Sequence, residues 1–93
     1  MIMDNNMTSL RILSHGQITD LSEGFKLEHD APFSIFVIPK VPTLVQYTTV
    51  KCRCLSDRGK ATALPVILGD WSPAMVTYIS PKAIDLNQYD VYW

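Results

Sequence analysis

Residues 64–93 read L-P-V-I-L-G-D-W-S-P-A-M-V-T-Y-I-S-P-K-A-I-D-L-N-Q-Y-D-V-Y-W. Apolar and β-branched runs at 64–68 and 74–79 are cut by the turn-forming pairs Gly69-Asp70, Ser72-Pro73 and Ser80-Pro81. Runs of this length and type suit short strands bounded by turns. Both tryptophans and three of the four tyrosines lie in this third of the chain. Such a segment serves either as strands completing a β-core or as an aromatic surface offered to another subunit. It holds no group of residues that performs chemistry.

Size sharpens the choice. A chain of 93 residues makes one domain and leaves much of its surface outside after folding. Yet 47% of it is hydrophobic and only 18% charged, against a usual charged share of roughly 25%. A small body with few charges does not hide that much apolar area alone, so burial of one face against partners is expected. The net charge of −1 argues against the basic footprint of a nucleic-acid binder. There is no apolar run long enough to span a membrane. The opening M-I-M-D-N-N-M lacks the basic start and apolar stretch of a secretory signal. Residues 1–7 are expected to form a loose arm and 8–93 a single β domain.

Taken in order, 8–13 alternates loosely, with Leu10 and Ile12 on one face. The Gly16 turn, a short strand at 17–21, the Gly24 turn and a strand at 25–28 then describe a meander of antiparallel strands. After Pro32, the run F-S-I-F-V-I at 33–38 is apolar on both faces, as in a central strand or one at a subunit interface. Pro39 and Pro42 bracket a connector that a helix does not cross. The longest predicted strand is 44–55, where Val50, Cys52 and Cys54 share one face and Thr49, Lys51 and Arg53 the other. A turn at 56–59 returns the chain into 61–68, whose Pro65 belongs at an edge or bulge. Strands at 74–79 and 89–93 follow, joined by an extended stretch with Ile84 and Leu86 on one face. The expected fold is all-β, an antiparallel β-sandwich or jelly roll of about eight short strands.

Four features invite a chemical reading. Glu28-His29-Asp30 could bind a metal or shuttle a proton, but neighbours along a strand point to opposite faces, and a solvated loop end is the simpler account. Cys52 could act as a nucleophile with His15 or His29 as base. Its cationic neighbours Lys51 and Arg53 point away, however, so reduced and buried thiols at Cys52 and Cys54 are expected. In a strand the two thiols share a face with about 6.5–7 Å of backbone between them, beyond comfortable disulfide geometry. Two thiols also fall short of a structural zinc site. Gly69-Asp70-Trp71-Ser72 could form a sugar-binding corner, although packing or an interface role suits Trp71 better. Tyr89, Tyr92 and Trp93 are expected to be covered, by this subunit or by its neighbour. The candidate interface residues are Phe36, Ile38, Trp71, Tyr78, Tyr89, Tyr92 and Trp93, with no catalytic, cofactor or metal residues.

Three stretches carry a resemblance: the opening R-I-L-S-H-G-Q-I-T-D-L, the middle D-A-P-F-S-I-F-V-I-P, and the close from D-W-S-P-A-M-V-T-Y to V-Y-W. In texture and order the chain resembles the small β-structured virion proteins of tailed bacteriophages. The resemblance implies a capsid decoration (cement) protein, or else a neck or tail component, made in the bacterial host cytoplasm and located in the virion. The partners it implies are copies of itself, trimers fitting local three-fold positions, and the major capsid protein or other virion proteins. It implies no enzyme activity, cofactor, nucleic acid or membrane. A carbohydrate- or ligand-binding β-module is the rival expectation.

Overall fold

The computed structural model describes residues 14–93. The expected arm at 1–7 and first strand at 8–13 lie outside the described residues. Six strands occur among the described residues: β1 (Gln17–Ile18), β2 (Phe36–Pro39), β3 (Tyr47–Cys54), β4 (Ala61–Ile67), β5 (Val76–Ile79) and β6 (Tyr89–Tyr92). The only helical elements among these residues are two short 3-10 turns, Glu28–Asp30 and Leu55–Asp57. The strands form two antiparallel sheets, ordered β1-β6-β2 and β4-β3-β5. The all-β expectation therefore holds, with six strands among the described residues.

The β3–β4 hairpin is the best-defined unit. Its ladder runs from Tyr47 opposite Ile67 to Arg53 opposite Ala61. Alternation along β3 follows the residue pattern, with Val50, Cys52 and Cys54 buried and Thr49, Lys51 and Arg53 exposed. Pro65 lies opposite Thr49 in β4, which is an edge strand. An edge is where a residue without an N–H costs least, because one side of the strand needs no ladder partner.

Two short segments close the free edge of β5. Phe25 and Ile79 exchange backbone hydrogen bonds at 3.0 and 2.8 Å, and Phe33 and Val76 do so at 2.9 and 2.7 Å. The chain leaving Phe33 reaches β2 three residues later, so one stretch crosses from the β5 edge to the β6 sheet. Ile35 lies in this crossing and is fully buried. The core is one cluster fed by both sheets: Ile18, Val37 and Val91 from the β6 sheet, and Val50, Cys52, Cys54, Val66, Val76 and Ile79 from the β3 sheet.

A buried serine fastens the crossing. Ser72 Oγ accepts a hydrogen bond from Ile35 N at 2.9 Å and donates to the Ala74 carbonyl at 3.1 Å. Its own N–H donates to the Ile35 carbonyl at 2.7 Å. The hydroxyl thus does for Ile35 what a neighbouring strand would have done, leaving the buried amide satisfied.

Three expectations need correction. The predicted strand at 25–28 is a single bridge at Phe25 that runs into the Glu28–Asp30 turn, where His29 and Asp30 take positive φ of 60° and 54°. His and Asp tolerate that region better than most residues, and an extended run ends there. The predicted strand 44–55 begins only at Tyr47. Leu68 N still bonds the Gln46 carbonyl at 2.9 Å, but Gly69 at φ 83° turns the returning chain away. Leu44 and Val45 are left with no strand opposite them. Finally, 80–88 is a series of turns, with Ile84 buried and Leu86 half-buried.

Candidate functional site

Register decides which of the candidate interface residues meet. Phe36 lies opposite Tyr92 in the β2–β6 ladder and bridges Trp71 on its other side. Residues directly opposite in a sheet project from the same face. Tyr92, Phe36 and Trp71 therefore form a row across the β6 sheet, on the side away from buried Val37 and Val91. The Phe36 and Trp71 rings lie 5.2 Å apart and tilted by 58°. Ile38 follows Phe36 on the same face, opposite Asp90. All four side chains are half-buried, and Asp90 beside them is held by Lys40 at 2.9 Å and by Gln17 Nε2 at 3.2 Å.

The other three candidates go elsewhere. Tyr89 and Trp93 share the inward side of Val91 and pack against the core cluster. Trp93 stacks on His15 at 5.2 Å and meets Phe25 and Phe33 at 5.6 and 6.4 Å, so it caps the core of its own chain. Tyr78 stands on the second sheet, opposite Arg53, whose guanidinium lies 5.4 Å from the ring centre. Its hydroxyl donates to the Glu23 carbonyl at 3.5 Å.

The chemical candidates find ordinary surroundings. Glu28-His29-Asp30 is an exposed 3-10 turn, and Asp30 pairs with Lys26 at 3.5 Å. No group of three or more His, Cys, Asp or Glu among the described residues is arranged to hold a metal ion. Cys52 and Cys54 are free and buried, with sulfurs 3.8 Å apart. Burial, then the neighbouring Cys54, pushes the Cys52 thiol up to about 12, the wrong direction for a nucleophile, which needs its thiolate at neutral pH. Asp70 spends one carboxylate oxygen on Trp71 N at 3.1 Å, and Ser72 is the buried fastener described above. That corner is a self-satisfied turn carrying Trp71 toward Phe36.

One cleft was not legible in the sequence. Trp71 and Trp93 both line an apolar opening of about 350 Å³ with His15, Phe33, Ser34 and Met75. Residues from positions 15, 33–34, 71–75 and 93 meet there, and no local spacing announces such a meeting. No helix among the described residues is long and apolar enough to cross a membrane. What the geometry defines is an all-β protein of two small antiparallel sheets with an aromatic row on the outside of one. No protein family, curated protein or solved structure matches the chain.

Proposed function

We propose that the chain is a non-catalytic structural module that works by being buried against other copies and a larger assembly. We read its two sheets as the layers of a small β-sandwich. Following the resemblance of its sequence, the assembly is the virion of a tailed bacteriophage and the role that of a capsid decoration protein. A neck or tail component is the nearest variant of this role. The observation that carries the reading is the row Tyr92–Phe36–Trp71, half-covered apolar area on the outer face of a sheet. Aromatic side chains supply large contact area at small entropic cost and are enriched where proteins meet. A decoration protein that binds the assembled shell and not its free subunits stabilises the shell by linkage.

The test is light scattering of the purified chain, then co-sedimentation with intact phage particles and the temperature at which those particles disrupt. Trp71→Ala is the informative variant, because Trp71 belongs to the outer row whereas Trp93 caps its own core. It is expected to keep the fold and to lose at least tenfold in particle binding. A chain that neither self-associates nor binds particles overturns the reading. The cleft shared by Trp71 and Trp93 favours a second reading, a ligand- or carbohydrate-binding module. Saturable quenching of tryptophan fluorescence by a sugar would favour it over assembly.

A further inference from the structure

Cys52 and Cys54 have no part in the assembly reading, yet their arrangement is specific. Their sulfurs stand 3.8 Å apart, and the two residues are only 0% and 1% exposed. Extended backbone alone sets alternate residues about 6.5–7 Å apart, so sulfurs in contact need more than strand geometry. The register of β3 against β5 shifts between Arg53 and Cys54, and an irregularity of this kind bends and twists the strand that carries it. The local twist brings the two thiols together.

The separation selects among products. A disulfide bond is about 2.05 Å long, so oxidation has to draw the sulfurs together by nearly half their distance. Two sulfurs bonded to one atom at about 2.3 Å, the zinc–thiolate length, stand about 3.8 Å apart when the angle is tetrahedral. The pair is thus set for a bridging atom and not for a direct bond. Zinc needs two further ligands, and no third His, Cys, Asp or Glu joins the thiols among the described residues. Monovalent copper is satisfied by thiolates alone, but two thiolates leave it a net negative charge. The apolar core that the thiols share with Val50, Val66, Val76 and Ile79 does not solvate such a charge. Burial also keeps the Cys52 thiol protonated at neutral pH. What fits is a neutral species that condenses with S–H groups and needs only two protein sulfurs.

We propose that Cys52 and Cys54 form a chelating site for trivalent arsenic, taken up as neutral arsenous acid. Two As–S bonds replace two As–O bonds, and each thiol proton leaves with a hydroxyl group as water. Arsenic stays trivalent, so no oxidant or reductant takes part, and the product is neutral. Thr62 lies opposite Cys52 in the β3–β4 ladder and hence on the same face, where its hydroxyl can pair with the one oxygen left on arsenic. Entry is by local opening at the end of β3, where the ladder is already interrupted and Cys54 gives way to the Leu55–Asp57 turn. The site lies within the fold, so it stands or falls apart from the assembly reading.

Equilibrium dialysis and native mass spectrometry of the full chain with sodium arsenite at neutral pH test it. Wild type is expected to take up one arsenic per chain and to release it to excess dithiothreitol. Cys52→Ala and Cys54→Ala, each checked for folding by circular dichroism, are expected to bind at least about a hundredfold more weakly, because the second As–S bond is intramolecular and is lost. X-ray absorption at the arsenic edge needs no variant, and is expected to count two sulfurs and one oxygen around each arsenic in the wild type. No uptake by the folded wild type overturns the proposal, as does equal binding by a folded single-cysteine variant. So does any sulfur count other than two.

Discussion

Replacing Ser72 by Ala removes one oxygen atom and strands two partners. The Ile35 amide loses its acceptor, and the Ala74 carbonyl loses a donor. Ile35 is fully buried and Ser72 is only 4% exposed, so water does not take the vacated place. An unsatisfied buried donor costs about 1–3 kcal/mol, and with the second partner weakened we expect a loss of about 2–3 kcal/mol. At 0.05–0.15 kcal/mol per residue the whole fold is worth roughly 5–14 kcal/mol, so one hydroxyl carries a sizeable part. The corresponding drop in melting temperature is about 8–24 °C for a domain of this size. Urea unfolding followed by tryptophan fluorescence gives the free energy. Amide hydrogen exchange gives the location, with the Ile35 amide expected to lose protection ahead of the β3–β4 ladder. A loss below about 0.5 kcal/mol, the ordinary range for surface changes, would refute the argument that Ser72 stands in for a missing strand.

Two further predictions concern the backbone and the thiols. Gly24→Ala would put a Cβ 2.5 Å from Tyr78 Oη and 2.7 Å from the Ile79 carbonyl, at φ 85°; Gly59 has φ 80° with nothing within 4 Å. Thermal melts should therefore show Gly59→Ala costing about 1 kcal/mol from the left-handed backbone alone, and Gly24→Ala clearly more because the Phe25–Ile79 bridge must shift. Equal costs would mean the β5 edge yields freely. For Cys52, the folded thiol titrates near 12, above its ordinary value of 9.0. Its stabilising effect is complete below pH 9 and is lost as pH rises from 9 toward 12, because the unfolded chain releases its proton first. The slope approaches about 1.4 kcal/mol per pH unit in that window. Cys52→Ala should flatten the decline in urea titrations between pH 9 and 11, and a wild-type profile already flat there would contradict the assignment.

Legibility in the sequence followed the reach of each interaction. Strands β3 to β6 lie within a few residues of their predicted places because alternation and turn residues are local signals. Pro65, expected at an edge or a bulge, lies in the edge strand β4, since a missing N–H is tolerated only where a ladder partner is not needed. Leu44 and Val45 read as strand because an apolar pair looks the same whether its cover is present or absent. Only Gly69 turning away from Gln46 decides that. The strand expected at 25–28 fails for a related reason. Phe25 and Leu27 do lean on the core, as alternation requires, but the backbone leaves the extended region at His29. The aromatics divide by register: Tyr92 and Trp93 are adjacent in sequence yet lie on opposite sides of β6, one in the outer row and one over the core. The cleft between the tryptophans depends wholly on the fold.

The position of β6 bears on how the molecule comes into being. It is the middle member of its sheet, holding β1 on one side and β2 on the other, yet it follows β2 by about fifty residues. During synthesis both outer strands leave the ribosome with nothing between them. Ribosomes add roughly 5–20 residues per second, so Val37 and Ile18 wait some seconds for Val91. The β3–β4 hairpin, made of near neighbours, needs no such delay. Closure of the other sheet by distant pairing is then the late event of folding, and a nascent chain held short of Tyr89 would offer its unpaired strands to chaperones.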